Sequence, residues 1–246
     1  MVQTTRGLVL RECDYKDSDK ILTVLTVDGG LLTLRAPGVK KQGSKLRGGC
    51  QILVFSEFTV SENRGFSTVR EATPVELFFK VRQDAELLSL AMYFAQLTEL
   101  LSQEDAPNDE LLRLTYSAFL ALDRGRPQEI IKAAFELRAA ALAGYTPQVG
   151  VCPICGNTAP DRLNLTDGTV QCAGCGTAKG SFCLPITAGT LDAMRYILAA
   201  ETQRIFSFSV SERTAEELCG VTETYLLTRF ERGFSALDFY RMMKLT

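Results

Sequence analysis

An α+β multidomain chain is the fold class this sequence predicts: a small β-barrel, then an all-α domain with a metal-binding insertion. Three observations predict it. Residues 1–72 alternate apolar and polar side chains at period two, as half-buried strands do. From Arg82 onward the apolar period changes to 3.6, the spacing of helices packed on a core. Two Cys-x-x-Cys pairs, Cys152-Pro-Ile-Cys155 and Cys172-Ala-Gly-Cys175, interrupt the helical part.

Taken in order, segments 5–11, 21–27, 31–35, 52–60 and 66–71 are rich in Val, Ile, Leu, Thr and Phe. Turn chemistry separates them: residues 14–19, then Asp28-Gly29-Gly30, a long Gly-containing loop, and Glu62-Asn63-Arg64-Gly65. Five short strands in this length suit a closed barrel of the oligonucleotide-binding (OB) type, with the SH3-like barrel as the alternative. Domain limits of 1–80 for the barrel and 81–246 for the helical part follow. In the latter, Leu87, Leu90, Ala91, Phe94, Leu97, Thr98 and Leu101 make one helical stripe. A second helix starts after Asn108 as N-cap and buries Leu111, Leu114, Ala118 and Leu122. A third opens with Pro127 at its first position and ends at Gly144. After the insertion, helices resume behind Thr187 and again from Thr214, where Thr214-x-x-Glu217 reads as a capping box. Gly220 and Gly233 are expected to end helices.

The insertion is a zinc ribbon of residues 146–184 by its spacing, since sixteen residues separate the two Cys pairs. Two intervening residues let a tight turn aim both sulfurs at one point. Gly156 and Gly176 after each second Cys can take positive φ, and a hairpin with Asp167-Gly168 at its tip returns the second pair to the first. Cys152, Cys155, Cys172 and Cys175 would hold one structural Zn²⁺, closed to water and substrate. A redox dithiol expects a single Cys-x-x-Cys after a strand in a βαβ pattern, which is not what stands here. Two disulfides would not persist in a reducing compartment. Cys183 is either a substitute ligand or a small buried hydrophobe.

Composition narrows the function classes. The chain has 246 residues, a formal net charge of −2 and no His. Four zinc-bound thiolates move that charge to about −4. Without His there is no Ser–His–Asp or Cys–His site and no His metal ligand, which argues against an enzyme. No Gly-Lys-Ser/Thr phosphate loop occurs, so nucleotide hydrolysis is not expected. The first residues lack the apolar run of a signal peptide, and no segment reads as a membrane span, so a cytoplasmic, nucleoid-associated protein is expected.

Overall charge does not mark a nucleic-acid binder, but one segment does. Between Asp28 and Glu57 stand Arg35, Lys40, Lys41, Lys45 and Arg47 with no carboxylate, and Gly38, Gly43, Gly48 and Gly49 punctuate the same loop. Such a rim neutralises phosphates irrespective of base sequence. Lys40, Lys41, Lys45 and Arg47 are the candidate DNA contacts, with Arg35 and Arg11 next; a solvated surface loop is the bland alternative. Tyr15, Phe55, Phe58 and Phe66 are the aromatic rings that bases could stack on, although most barrel Phe residues are core. Asp14, Asp17 and Asp19 read as turn and cap residues ahead of a Mg²⁺ site.

Several motifs together resemble the bacterial RecO recombination mediators. Thr5-Arg-Gly7-Leu-Val-Leu and Tyr15-Lys-Asp-Ser-Asp19-Lys-Ile-Leu-Thr-Val-Leu-Thr26 are similar to that family's opening. Ala36-Pro-Gly38-Val-Lys-Lys41 with Ser44-Lys-Leu-Arg47 resembles its basic loop, Pro37 departing from the small or basic residue expected there. Phe135-Glu-Leu-Arg138, Gly144-Tyr145-Thr-Pro147 and Cys152-x-x-Cys155-Gly follow in the family's order. The resemblance implies an OB-fold domain and a helical domain bearing the ribbon, whose cysteines are not shared by every member. It also implies a non-enzymatic DNA repair and recombination mediator of the RecFOR pathway. Such a protein binds single- and double-stranded DNA, anneals strands, and loads the recombinase with RecR on DNA coated by single-stranded-DNA-binding protein. The acidic C-terminal tail of that last partner would dock within residues 82–145 or 187–246. A zinc-ribbon assembly factor is the rival reading; a thiol oxidoreductase or a metal-dependent hydrolase is a further one.

Overall fold

The computed structural model describes residues 2–63, 66–104, 106–175 and 181–244. The strands are β1 (Val2–Tyr15), β2 (Asp19–Thr26), β3 (Gly30–Ala36), β4 (Phe55–Asn63), β5 (Phe66–Glu76), β6 (Arg162–Asn164), β7 (Thr169–Gln171) and β8 (Cys183–Pro185). The helices are α1 (Phe79–Gln83), α2 (Ala85–Leu101), α3 (Asp109–Asp123), α4 (Gln128–Leu142), α5 (Ala188–Ala199), α6 (Glu212–Phe230) and α7 (Ser235–Met243). Two compact units contain them: Met1–Asp123 with Phe234–Thr246, and Arg124–Gly233.

In the first unit, five strands close a barrel in the order β1-β2-β3-β5-β4. Strand β1 makes closure possible by pairing antiparallel with β2 along one stretch and with β4 along the other. Gly7 stands where the two ladders meet, opposite both Thr26 and Ser56. A Cβ there would lie 2.6 Å from Val24 Cγ1, so only glycine lets the strands approach. A short parallel pairing of β3 with β5, Leu34 beside Ser67 and Arg35 beside Thr68, completes the ring. This is OB connectivity, so the SH3-like alternative drops out. The strands run longer than the apolar pattern indicates, because their ends keep the backbone ladder while carrying polar side chains.

Inside lie Val9, Leu22, Val24, Leu34, Phe58, Val60 and Val69. Each large apolar side chain removed from water contributes roughly 1.5–3 kcal/mol. The connection from β3 to β4 joins this core instead of hanging free: Val39 and Cys50 are buried in it and Leu46 packs against it. Burial pushes the Cys50 thiol up to about 12, so it serves as a packing group and not a nucleophile.

Helices α1, α2, α3 and α7 belong to the same unit as the barrel. The expected stripe is realised in α2, where Leu90, Ala91, Phe94, Leu97 and Thr98 are buried. Asp84 caps it by accepting from the Glu86 and Leu87 amides. Asn108 Oδ1 accepts from Leu111 N at 3.1 Å at the start of α3, in line with the sequence. Helix α7 is an addition that the sequence pattern does not announce. It docks on α2, with Phe234 edge-on to Tyr93 at 5.6 Å between ring centroids.

In the second unit, α4 and α6 bury a charged cluster. Lys132 Nζ lies 2.7 Å from both Glu136 Oε1 and Glu223 Oε2, and Thr222 donates to Glu136 Oε2 at 2.9 Å. Burial opposes the Lys132 charge, but the two carboxylates outweigh it and its pKa ends raised; burial also raises Glu136, against the pull of Lys132. The ammonium held between two carboxylates bridges α4 to α6.

Two expectations about α6 need correction. Its N-cap is Ser211, whose side chain accepts from Thr214 N, so Thr214 stands inside the helix. Glu217 does not reach back to Thr214; its Oε1 accepts from Thr187 N at 2.6 Å, supporting the first turn of α5. Gly220 is interior to α6 and ends nothing, because tertiary packing carries the helix through it. Gly233 lies in the connection from α6 to α7, and Pro127 is the N-cap of α4 instead of its first residue.

Candidate nucleic-acid interface and metal centre

The metal centre is built by two knuckles that converge. In the first, Gly156 N donates to Cys152 O at 2.9 Å, and Gly156 takes φ 74, as its place after the Cys pair requires. In the second, Cys175 N donates to Cys172 O at 3.1 Å within a 3-10 turn, Ala173–Cys175. Gly176, given the matching role by the sequence, lies outside the described residues. Between the knuckles, β6 and β7 form the expected hairpin with Gly168 at φ 68, and β8 adds a third strand that the sequence does not disclose.

The four Sγ atoms of Cys152, Cys155, Cys172 and Cys175 lie within 4.8 Å of one another. The Cys155 and Cys172 sulfurs are 3.8 Å apart. A tetrahedral ion with metal–sulfur bonds of about 2.3 Å needs sulfurs about 3.8 Å apart, so the set could hold such a metal ion. Electrostatics point the same way. Amides of Cys155 and Cys172 stabilise the Cys152 thiolate and lower it to about 6. The Cys175 thiol, crowded by Cys155 and then by burial, is pushed up to about 12. At Cys172 the Asn157 amide pulls downward, but burial and the neighbouring thiols prevail and raise it. A cation among them would let the raised Cys172 and Cys175 thiols ionise beside the Cys152 thiolate.

Cys183 is not among these four; it sits on β8 opposite Asn164 and its sulfur accepts from Gln171 Nε2 at 3.0 Å. The knuckles are held from α5. Arg195 donates to Val149 O at 2.8 Å, to Gly150 O at 2.5 Å and to Thr158 O at 2.6 Å. The sequence gives Arg195 no visible role here, since nothing local links it to carbonyls so distant along the chain.

The cationic loop of the barrel is a chain of tight turns. Lys41 N donates to Gly38 O, Ser44 N to Lys41 O, Arg47 N to Ser44 O and Cys50 N to Leu46 O. Gly49 is where it passes the barrel wall; a Cβ there would lie 2.7 Å from Ala72 O. The buried Asp19 carboxylate holds the start of the loop. It accepts from Gly38 N at 2.8 Å, from Arg35 Nη2 at 2.7 Å and from Arg35 Nε at 2.9 Å. The Gly38 amide and then Arg35 keep its pKa below the ordinary carboxylate range. Asp19 is therefore the cap the sequence suggests, and among the described residues the aspartates of this turn join no metal-ligating group.

The six candidate contacts divide into two sets. Lys41, Lys45 and Arg47 are exposed and make no ion pair among the described residues. The others have carboxylate partners: Lys40 with Asp14 at 2.8 Å, Arg35 with Asp19, and Arg11 with Glu99 at 2.9 Å. Of the aromatic candidates, Phe58 is core, and Phe55 packs edge-on against Tyr116 at 5.0 Å. The Phe66 side chain lies outside the described residues. Tyr15 is exposed.

Comparison with known proteins gives concordant results. A family model described as "Recombination protein O N terminal" matches residues 1–78, and one described as "Recombination protein O C terminal" matches residues 82–238. The DNA repair protein RecO of Acetivibrio thermocellus is 30% identical over 244 residues, 97% of this chain and 96% of that protein. That of Alkaliphilus metalliredigens is 28% identical over 242 residues, 97% and 98% of the two chains. The RecO of Exiguobacterium sibiricum is 32% identical over 173 residues, 70% of each chain. Among the described residues no helix is long and apolar enough to cross a membrane.

The Asp19 geometry predicts a pH signature. A carboxylate whose folded pKa is depressed stabilises the fold fully above its unfolded value of about 3.9, and that stabilisation is lost as pH falls through the folded value. Asp19→Asn should therefore unfold at lower urea than wild type at neutral pH, and the difference should shrink only below about pH 4. Urea unfolding of both proteins across pH 3–7 checks this; equal midpoints at neutral pH would remove Asp19 as the anchor.

Proposed function

The chain belongs to the recombination protein O family, and from that membership we propose that it is a non-enzymatic DNA-binding mediator of recombinational repair. The observation that carries the reading is the carboxylate-free cationic segment of 35–47, ordered across an OB barrel with Lys41, Lys45 and Arg47 exposed and unpaired among the described residues. Domains 1–80 for DNA and 81–246 for partners, with the ribbon 146–184 inserted, are part of the proposal. Strand annealing requires no catalytic group. Cations neutralise the repulsion between two phosphate backbones and hold complementary strands at high local concentration. Lys41, Lys45 and Arg47 are ready phosphate contacts. Lys40 and Arg11 would exchange a carboxylate for a phosphate, which makes their net gain smaller, while Arg35 would keep Asp19 through Nε and Nη2 and offer its remaining exposed donor. Binding to both single and double strands follows from contacts that ignore the bases.

The partners we propose are RecR and the acidic C-terminal tail of single-stranded-DNA-binding protein, the tail docking within 82–145 or 187–246. The setting is the cytoplasm at the nucleoid. Zn²⁺ is the proposed ion at Cys152, Cys155, Cys172 and Cys175. A closed set of four thiolates leaves no open position, so the metal supplies structure and not Lewis-acid chemistry.

Two experiments test these parts. Affinity for single-stranded DNA should fall linearly with log salt, and replacing Lys40, Lys41, Lys45 and Arg47 by Ala should flatten that slope by about 0.7 for each phosphate no longer neutralised. The weakening should be alike for any base sequence; an unchanged slope in a folded variant would put the DNA elsewhere. For the metal, elemental analysis should find about one zinc per chain. Cys152→Ser should lose it and unfold at a lower midpoint, while acid should speed zinc release because the thiolates reprotonate. Metal-free protein, or a disulfide in freshly purified material, would contradict the assignment.

A further inference from the structure

Tyr15 stands apart among the described aromatic side chains on the barrel strands. It is 40% exposed, whereas Phe58 is fully buried and Phe55 is held against Tyr116. Tyr15 ends β1, directly opposite Asp19 across the three-residue turn Lys16-Asp17-Ser18. Two cations lie over its ring: Lys16 Nζ at 5.3 Å from the centroid and Arg35 Cζ at 5.7 Å. Lys16 takes φ 53, a left-handed backbone that costs a lysine energy and that glycine would adopt freely. The turn thus keeps a cationic side chain beside the ring where a small residue would relieve the strain. The ring is tied to the loop as well. Lys40 N donates to Ser18 O at 3.0 Å, and Asp14, the residue before Tyr15, binds Lys40 Nζ. One buried carboxylate, Asp19, fixes both Arg35 and the loop's first amide.

From this juxtaposition we infer that Tyr15 is a stacking platform for an unpaired nucleobase, with Lys16, Arg35 and Lys40 positioned for the flanking phosphates. The inference rests on the proposed DNA-binding reading and deepens it, because it adds a contact that only a single strand can make. The cations over the ring attract a polyanion whose bases are free to turn toward it, and an arriving base takes the place of the Lys16 side chain over the exposed ring. A duplex keeps its bases stacked on one another and offers the ring only backbone. Phosphate contacts therefore supply affinity for both strand forms, and Tyr15 supplies the preference for single strands. A guanidinium can itself lie flat on a base, so Arg35 is able to remain beside the ring when the base arrives.

The test compares wild type, Tyr15→Ala, Tyr15→Leu and Tyr15→Phe, each checked for fold by circular dichroism. The probes are an oligothymidylate, an abasic strand of equal length and a duplex. Tyr15→Ala and Tyr15→Leu should weaken oligothymidylate binding by roughly 5- to 150-fold, with the salt slope unchanged. Both should bind the abasic strand and the duplex as wild type does, and Tyr15→Phe should keep affinity to within about twofold. An oligothymidylate carrying 5-iodouracil should photocrosslink to the peptide containing Tyr15 in wild type. Equal weakening on all three probes would make Tyr15 structural, and no weakening on oligothymidylate would remove the platform; either result overturns the inference. If wild type binds with the expected salt dependence while these variants behave as wild type, only the platform fails. If wild type binds no DNA at low salt, the DNA-binding reading fails and the platform with it.

Discussion

The Asp19 carboxylate is the constraint on which the proposed nucleic-acid surface depends. It is buried at the start of β2, where an ionised carboxylate survives only if its oxygens are satisfied. Arg35 on β3 and the Gly38 amide satisfy it, and each partner has a further consequence. Arg35 is drawn over Tyr15, and Gly38, at φ 64, starts the turns that carry Lys40, Lys41, Lys45 and Arg47. Val39, Leu46 and Cys50 then clamp those turns to the barrel core. The cations are therefore displayed from an ordered rim, so less entropy is lost when phosphate binds than for a free loop.

The Arg124–Gly233 unit is organised by a different balance of charge. Lys132 offsets two carboxylates between α4 and α6, and Arg195 gathers three backbone carbonyls that would otherwise leave the knuckles loosely held. The Cys172 and Cys175 thiols are raised by the sulfurs around them, so a cation among the four would favour their ionised forms.

The barrel, the helical stripe of α2 and the four-cysteine cluster are legible in the sequence, because each rests on a short-range signal: period two, period 3.6, and paired Cys-x-x-Cys spacing. What escapes it depends on partners distant along the chain. The pairing of Arg11 with Glu99 spans 88 residues, and nothing local distinguishes Arg11 from the exposed Lys41. The Thr214-x-x-Glu217 pattern is a sound local signal that loses to a tertiary contact, since Glu217 serves Thr187 instead. Helix α7 is short and follows Gly233, so its period has little length in which to show. The separation of Tyr15 from Phe55 and Phe58 requires knowing which face of the barrel is covered.

Hydrogen exchange of the intact chain with and without a single-stranded oligonucleotide tests the central claim most directly. The account predicts protection on binding within residues 14–20 and 35–47, where the β1–β2 turn and the cationic loop share Asp19, with 124–233 unchanged. Protection confined to 124–233, with 14–20 and 35–47 exchanging as in the free protein, would contradict it.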